Sequence, residues 1–83
     1  MNDAMKKELY TAIEYCESIK ADERAKKMAV DMWKKVLDKY ITATMISLEK
    51  HRLAGIQRFI SYNERDLPRD VFFIYIKDVI EMF

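Results

Sequence analysis

Apolar residues recur at helical spacing along most of the chain. In the first segment Met5, Leu9, Ala12, Ile13, Cys16 and Ile19 fall at steps of three and four, lining one stripe of a helix of about five turns. Asp22, followed by the acidic Glu23, has the chemistry of a helix N-cap, so a break near Lys20 to Asp22 precedes a second helix. There Ala25, Ala29, Met32, Val36 and Tyr40 form one row and Val30, Trp33, Leu37 and Ile41 another. Together the rows are wider than one partner helix requires. From Asp22 to Tyr62 only Gly55 is a weak helix former. An unbroken helix there would be about 60 Å long, about twice the width of a small domain. Thr42-Ala43-Thr44 is the expected break, because threonine is a mediocre interior residue and a usable cap.

Helix 3 then runs from about Thr44 to Tyr62, with Met45, Leu48, Ile56 and Phe59 on one row and Ile46, Leu53 and Ile60 on its neighbour. Asn63 to Pro68 is polar and ends in a proline, which marks a connection. Val71 to Ile76 alone reads as a buried strand, but a lone strand has no partner here. Phe72, Tyr75, Ile76, Val79 and Phe83 continue at helical spacing, so the reading is a fourth helix, apolar nearly all round, with Pro68 in its first turn. The expected architecture is all-α: one domain over residues 1–83, a small three- to four-helix bundle.

Composition narrows the function classes. One glycine and one proline in 83 residues exclude a glycine-rich phosphate loop and leave no turns for a many-stranded sandwich. Fifteen basic against fourteen acidic side chains give a formal charge of +1, so no bulk field gathers nucleic acid or an anionic membrane. The longest apolar run, Val71 to Ile76, is six residues, too short to cross a bilayer. One cysteine favours a reducing cytoplasm. The chain reads as a soluble, mature protein.

Candidate chemistry is sparse. His51 and Cys16 are the only residues of their types, so no zinc-type cluster can form and neither metal nor cofactor is expected. A Cys16–His51 nucleophile pair is formally available, but Cys16 sits in an apolar row where cysteine acts as a small core residue. Glu14 and Glu17 lack a cleft to desolvate either, and read as a solvated face. No catalytic residue is assigned and no enzyme activity is expected. Lys20, Lys27 and Lys34 recur every seven residues, with Arg24 and Lys35 alongside. Glu23–Lys27 and Asp31–Lys35 are acid-before-base pairs that stabilise an ordinary solvated helix, so direct nucleic-acid binding is not expected. Four of the five arginines fall between residues 52 and 69. Arg52, Arg58, Tyr62, Arg65 and Arg69 are therefore the candidate protein-binding set, since arginine and tyrosine combine contact area with directional donors.

Three stretches, Cys16-x-x-Ile19 with Glu23, His51-Arg52-Leu53-Ala54, and Pro68-x-x-Val71-Phe72, resemble in order and rough spacing the Hha/YmoA family of small helical gene-expression modulators. The resemblance spans about Leu9 to Ile76. It implies binding to the N-terminal oligomerisation region of nucleoid-structuring H-NS proteins, to which an acidic residue directly before His-Arg-Leu-Ala contributes. Here that position is Lys50, and Phe72 stands where the family has tryptophan.

Surface scaling adds an expectation of self-association, because a chain this short buries only about 60–65% of its unfolded surface while 51% of its residues are apolar. A homodimer is expected with Trp33, Phe59, Phe73 and Ile80 at its interface. The functional expectation is a small protein-binding regulator, adaptor or inhibitor of the phage, plasmid or bacterial accessory type, acting through a surface without catalysis. An Hha-like modulator is the alternative, and a Cys16/His51 thiol enzyme the third reading.

Overall fold

A computed structural model describes residues 3–19, 23–41 and 47–82. Among these residues the chain forms four helices and no strand: α1 (Asp3–Ile19), α2 (Arg24–Tyr40), α3 (Ser47–Asp66) and α4 (Arg69–Glu81). The helices make a bundle of 38 × 23 × 18 Å. The expected cap at Asp22, the Thr42-Ala43-Thr44 break, and Lys20, Met45, Ile46 and Phe83 lie outside the described residues.

The α1 stripe buries Met5, Leu9, Ala12, Ile13 and Cys16. It ends there: Ile19, at the helix terminus, is exposed, a correction to its place in the row. The double row on α2 is explained by its neighbours, because α2 packs against α1, α3 and α4. Ala25, Ala29, Val30, Trp33 and Leu37 are buried on it, and Met28, Met32, Val36, Tyr40 and Ile41 flank the core.

Helix α3 runs four residues past its expected end at Tyr62. Asn63, Glu64, Arg65 and Asp66 are polar but compatible with a helix, and the Leu67 N–H still donates to the Asn63 carbonyl at 2.9 Å. Only Pro68 forces the chain out. It stands just before α4 with φ −58° and ψ 158°, and its carbonyl accepts the first bond of that helix, from the Phe72 N–H at 2.8 Å. The connection is therefore Leu67 and Pro68 alone.

Helix α4 carries Phe72, Phe73, Ile76 and Ile80, all fully buried, beside Val79. Phe72 and Phe73 meet edge to face, with ring centroids 5.8 Å apart, a favoured aromatic geometry. This overturns most of the expected dimer interface. Trp33, Phe73 and Ile80 each have 0% exposure within one chain and offer no surface to a second, because α1, α2 and α3 together cover the inner side of α4. Phe59 alone of the four is exposed.

Polar links tie the helices at their rims. Lys39 pairs with Glu8 at 2.8 Å across α1 and α2, and Lys77 with Glu17 at 2.5 Å across α1 and α4. Tyr10 donates its hydroxyl to Glu81, which also pairs with Lys6 at 3.4 Å. Among the described residues Lys26 is the one charged side chain sealed in the core, at 6% exposure. Its Nζ donates to the Leu67 carbonyl at 2.7 Å and pairs with Glu23 at 2.7 Å, pinning the α3–α4 turn to the start of α2. The expected Glu23–Lys27 pair is thus replaced by Glu23–Lys26.

Adjacent lysines should therefore differ sharply. Lys26→Met keeps the stem but leaves the Leu67 carbonyl without its donor, and should cost about 1–3 kcal/mol. Lys27→Met, on the exposed side, should stay within about 0.5 kcal/mol; urea unfolding of the two variants checks the contrast.

The α1–α4 link sets a pH window. The bond to Glu81, followed by burial, pushes the Tyr10 hydroxyl up from 10.0 to about 12. The same bond, with Lys6, holds the Glu81 carboxyl below its ordinary 4.5. The link is complete between those ordinary values. It is lost as pH falls through the lowered Glu81 value or rises through about 12. Tyrosinate absorbance should show a last component near pH 12, and Tyr10→Phe should remove it together with the alkaline loss of stability.

Candidate functional site

Helix α3 has twenty residues but seals only Leu53 and Ile60 fully against the bundle, with Ile56 and Leu67 packed beside them. Its opposite arc faces outward. Leu48, Gly55, Phe59 and Tyr62 are spaced at seven, four and three, which places them on one line of the helix. Leu48, Phe59 and Tyr62 are 76%, 70% and 65% exposed. Single exposed apolar residues need no explanation; here three lie on one line of one helix, with Phe59 and Tyr62 adjacent and Leu48 three turns away.

The glycine shapes that patch. A Cβ added at Gly55 would meet nothing within 4 Å, so packing within this chain does not call for a glycine there, although glycine inside a helix costs about 0.5–1 kcal/mol relative to alanine. The missing side chain leaves a shallow notch, and Gly55, Arg58, Phe59 and Tyr62 line an open groove of about 400 Å³. A notch of this kind lets another backbone or a bulky side chain approach the helix closely.

Basic and polar side chains flank this line. His51, Arg58 and Arg65 form an exposed row seven residues apart along one side, and Arg52 lies on the other. Arg52 is held by Glu49, at 3.1 Å one turn back. Arg58 and Arg65 make no ion pair among the described residues. Arg58 lines the groove with Phe59 and Tyr62, whereas Arg65 lines the neighbouring groove between α2 and α3 with Asp31 and Glu64.

Four of the five residues expected at a partner surface, Arg52, Arg58, Tyr62 and Arg65, thus share the outer arc of α3. Arg69 does not. Its Nη2 donates to the Glu17 carbonyl at 2.6 Å, in the last turn of α1, its Nη1 meets Asp70 at 3.2 Å, and the group lies over the Phe73 ring at 5.4 Å. A cation at a helix C-terminus satisfies carbonyls that the helix cannot, so Arg69 is part of the frame and is removed from the binding set. Leu48 and Phe59 belong to the patch instead. The spacing placed both on one row with Met45 and Ile56, and Phe59 at the expected dimer interface. The spacing identified the row, but only the position of α2 decides which way it faces.

The remaining chemistry does not assemble. Cys16 is fully buried, its Sγ 3.3 Å from Met32 Sδ, and burial pushes its thiol up. His51 is exposed on the outer arc of α3, so the two are not brought together. Glu17 is held by Lys77 while Glu14 faces solvent. Among the described residues no group of three or more histidine, cysteine or acidic side chains could hold a metal ion, and no helix is long and apolar enough to cross a membrane. Lys27 and Lys34 edge a groove between α2 and α3 in which Asp31 and Glu64 alternate with them and Arg65, so the basic stripe presents mixed charge.

Comparison of this chain with protein-family models, with curated proteins and with solved structures finds no match in any of the three.

The cysteine geometry makes a firm expectation. A thiol reagent at neutral pH should modify native Cys16 only as fast as the chain opens, because the raised thiol is neither ionised nor accessible. Cys16→Ala should cost about 1 kcal/mol from the small volume removed, measured by denaturant unfolding. Rapid stoichiometric labelling of the folded protein would contradict the structural role.

Proposed function

We infer that this protein is a small helical regulator or adaptor that works by binding another protein on the outer arc of α3, without catalysis. The observation that supports this reading is the combination on one helix face of three exposed apolar side chains, a notch at Gly55 that the fold does not require, and Arg58 and Arg65, which make no ion pair among the described residues. Aromatic residues and arginine around a small depression are what a compact protein-binding hot spot uses. A wholly solvated helix face would carry charge without Phe59 and Tyr62. The expected partner is therefore a protein surface that fills the notch and accepts from the arginines. The regulator or inhibitor role, a cytoplasmic setting and a phage, plasmid or bacterial source belong to this same proposal.

A photo-crosslinking residue at position 59 tests it in cells of the source organism, with the same residue at position 27 as control. A discrete adduct with one protein is expected at 59 and not at 27, and Phe59→Asp should abolish co-purification of that protein while changing stability by no more than about 0.5 kcal/mol. Undiminished co-purification by Phe59→Asp would remove α3 as the site. An adduct with a nucleoid-structuring protein would extend the Hha/YmoA resemblance from sequence to function.

Gly55→Ala separates folding from binding at a single atom. Because the new methyl enters open space, thermal or urea unfolding should show a gain of about 0.5–1 kcal/mol. Binding should fall, since the notch is closed.

A further inference from the structure

The outer arc of α4 is a second exposed surface, and its chemistry is the converse of the first. Val71, Ile74 and Met82 are 47%, 64% and 71% exposed, and Asp70 and Asp78 lie on the same arc, both exposed. Ile74 sits midway between these two acids, four residues from each, one helical turn on either side. Asp78 makes no ion pair among the described residues, and Asp70 meets only its neighbour Arg69. One chain thus carries an apolar line bordered on α3 by arginines that make no ion pair among the described residues, and an apolar line bordered by aspartates on α4.

We propose that the α4 arc of one copy docks on the α3 arc of another, so that the protein assembles head to tail. This rests on the reading that the outer arc of α3 binds protein, and it names the occupant. Ile74 enters the groove of about 400 Å³ at Gly55, between Phe59 and Tyr62, and the aspartates meet the arginine row. The spacings agree: Arg58 and Arg65 are separated by about 10.5 Å along their helix and Asp70 and Asp78 by about 12 Å.

Charge also selects this pairing over symmetric ones. Two α3 arcs facing each other about a two-fold axis would bring two arginine rows together, with Asp66, exposed one turn beyond Tyr62, as the acid on that line. Two α4 arcs would set aspartates against aspartates. Like charges across an interface oppose association, and opposite charges steer it. A heterologous contact has the further property that every copy both gives and receives, so assembly continues into a ring or an open chain instead of stopping at two.

Two half-dead variants test the geometry. Arg58→Glu/Phe59→Asp disables the α3 arc and keeps α4, whereas Ile74→Lys disables the α4 arc and keeps α3. All three positions are exposed; circular dichroism should report native helix content, and the milder Phe59→Ser and Ile74→Ser replace any variant that does not. In sedimentation velocity the wild type should grow with concentration beyond its chain mass of 10.0 kDa and shrink with added salt. Each variant alone should be monomeric, and an equimolar mixture should give a complex of two chains and nothing larger. A monomeric wild type, a mixture that stays monomeric, or Ile74→Lys remaining a dimer by itself would each overturn the proposal. A monomeric wild type that still gives a foreign adduct at position 59 would end self-assembly and leave the binding surface standing. Loss of both would end both.

Discussion

Phe72, Phe73, Ile76 and Ile80, four fully buried side chains in three turns of α4, share one cluster with Trp33 of α2 and Leu9 and Ile13 of α1. So short a chain has little interior, and this cluster claims most of it. The first two helices are shaped to receive α4: α1 offers a single stripe, and α2 a double row because it touches all three others. What remains for α3 is the margin of the core, where Leu53 and Ile60 suffice to attach it. Its opposite side is left outside because the interior is already full. The exposed outer arc of α3 is thus a by-product of where the large side chains of α4 had to go.

The polar framework serves the same end. Glu8, Glu17 and Glu81 each hold a basic residue of another helix or are held by one, and all three are partly open to solvent, which keeps such pairs individually weak. Lys26 and Arg69 are different in kind because their partners are backbone carbonyls that helix or turn geometry leaves without a donor. Lys26 fastens Leu67 of the α3–α4 connection to α2, and Arg69 fastens the first residue of α4 to the end of α1; the direction in which α3 points its outer arc is fixed with them. A surface on a marginally packed helix is only as well oriented as these two anchors.

Much of this was legible in the sequence, and the failures have identifiable causes. The stripe from Met5 to Cys16 and the two rows of α2 follow from periodicity alone, and a helix was readable through Val71 to Ile76 because no second strand exists to pair with it. Ile19 failed because periodicity says which side of a helix is apolar but not where its neighbour ends. Asn63 to Asp66 failed because polar residues stop a helix only when they compete for its backbone, and here Pro68 does the stopping. Lys26 was invisible among ten lysines, since its burial depends on a carbonyl forty-one residues away. Arg69 looked like its neighbours for the same reason. At the surface, four of the five residues singled out by type, Arg52, Arg58, Tyr62 and Arg65, lie exposed on α3. Which of two apolar rows on α3 faced inward could not be read, because both satisfy the same period.

The two sides of α3 share no side chain. Leu53 and Ile60 answer to the core, while Leu48, Arg52, Gly55, Arg58, Phe59 and Tyr62 answer to solvent or to whatever lies against them. Substitutions on the outer arc therefore escape the packing requirements that constrain α1, α2 and α4. A lineage of such chains could drift from one specificity to another by single steps, none passing through an unfolded intermediate. The small size that denies the protein a deep interior also leaves it an evolvable helix face, decoupled from the scaffold that carries it.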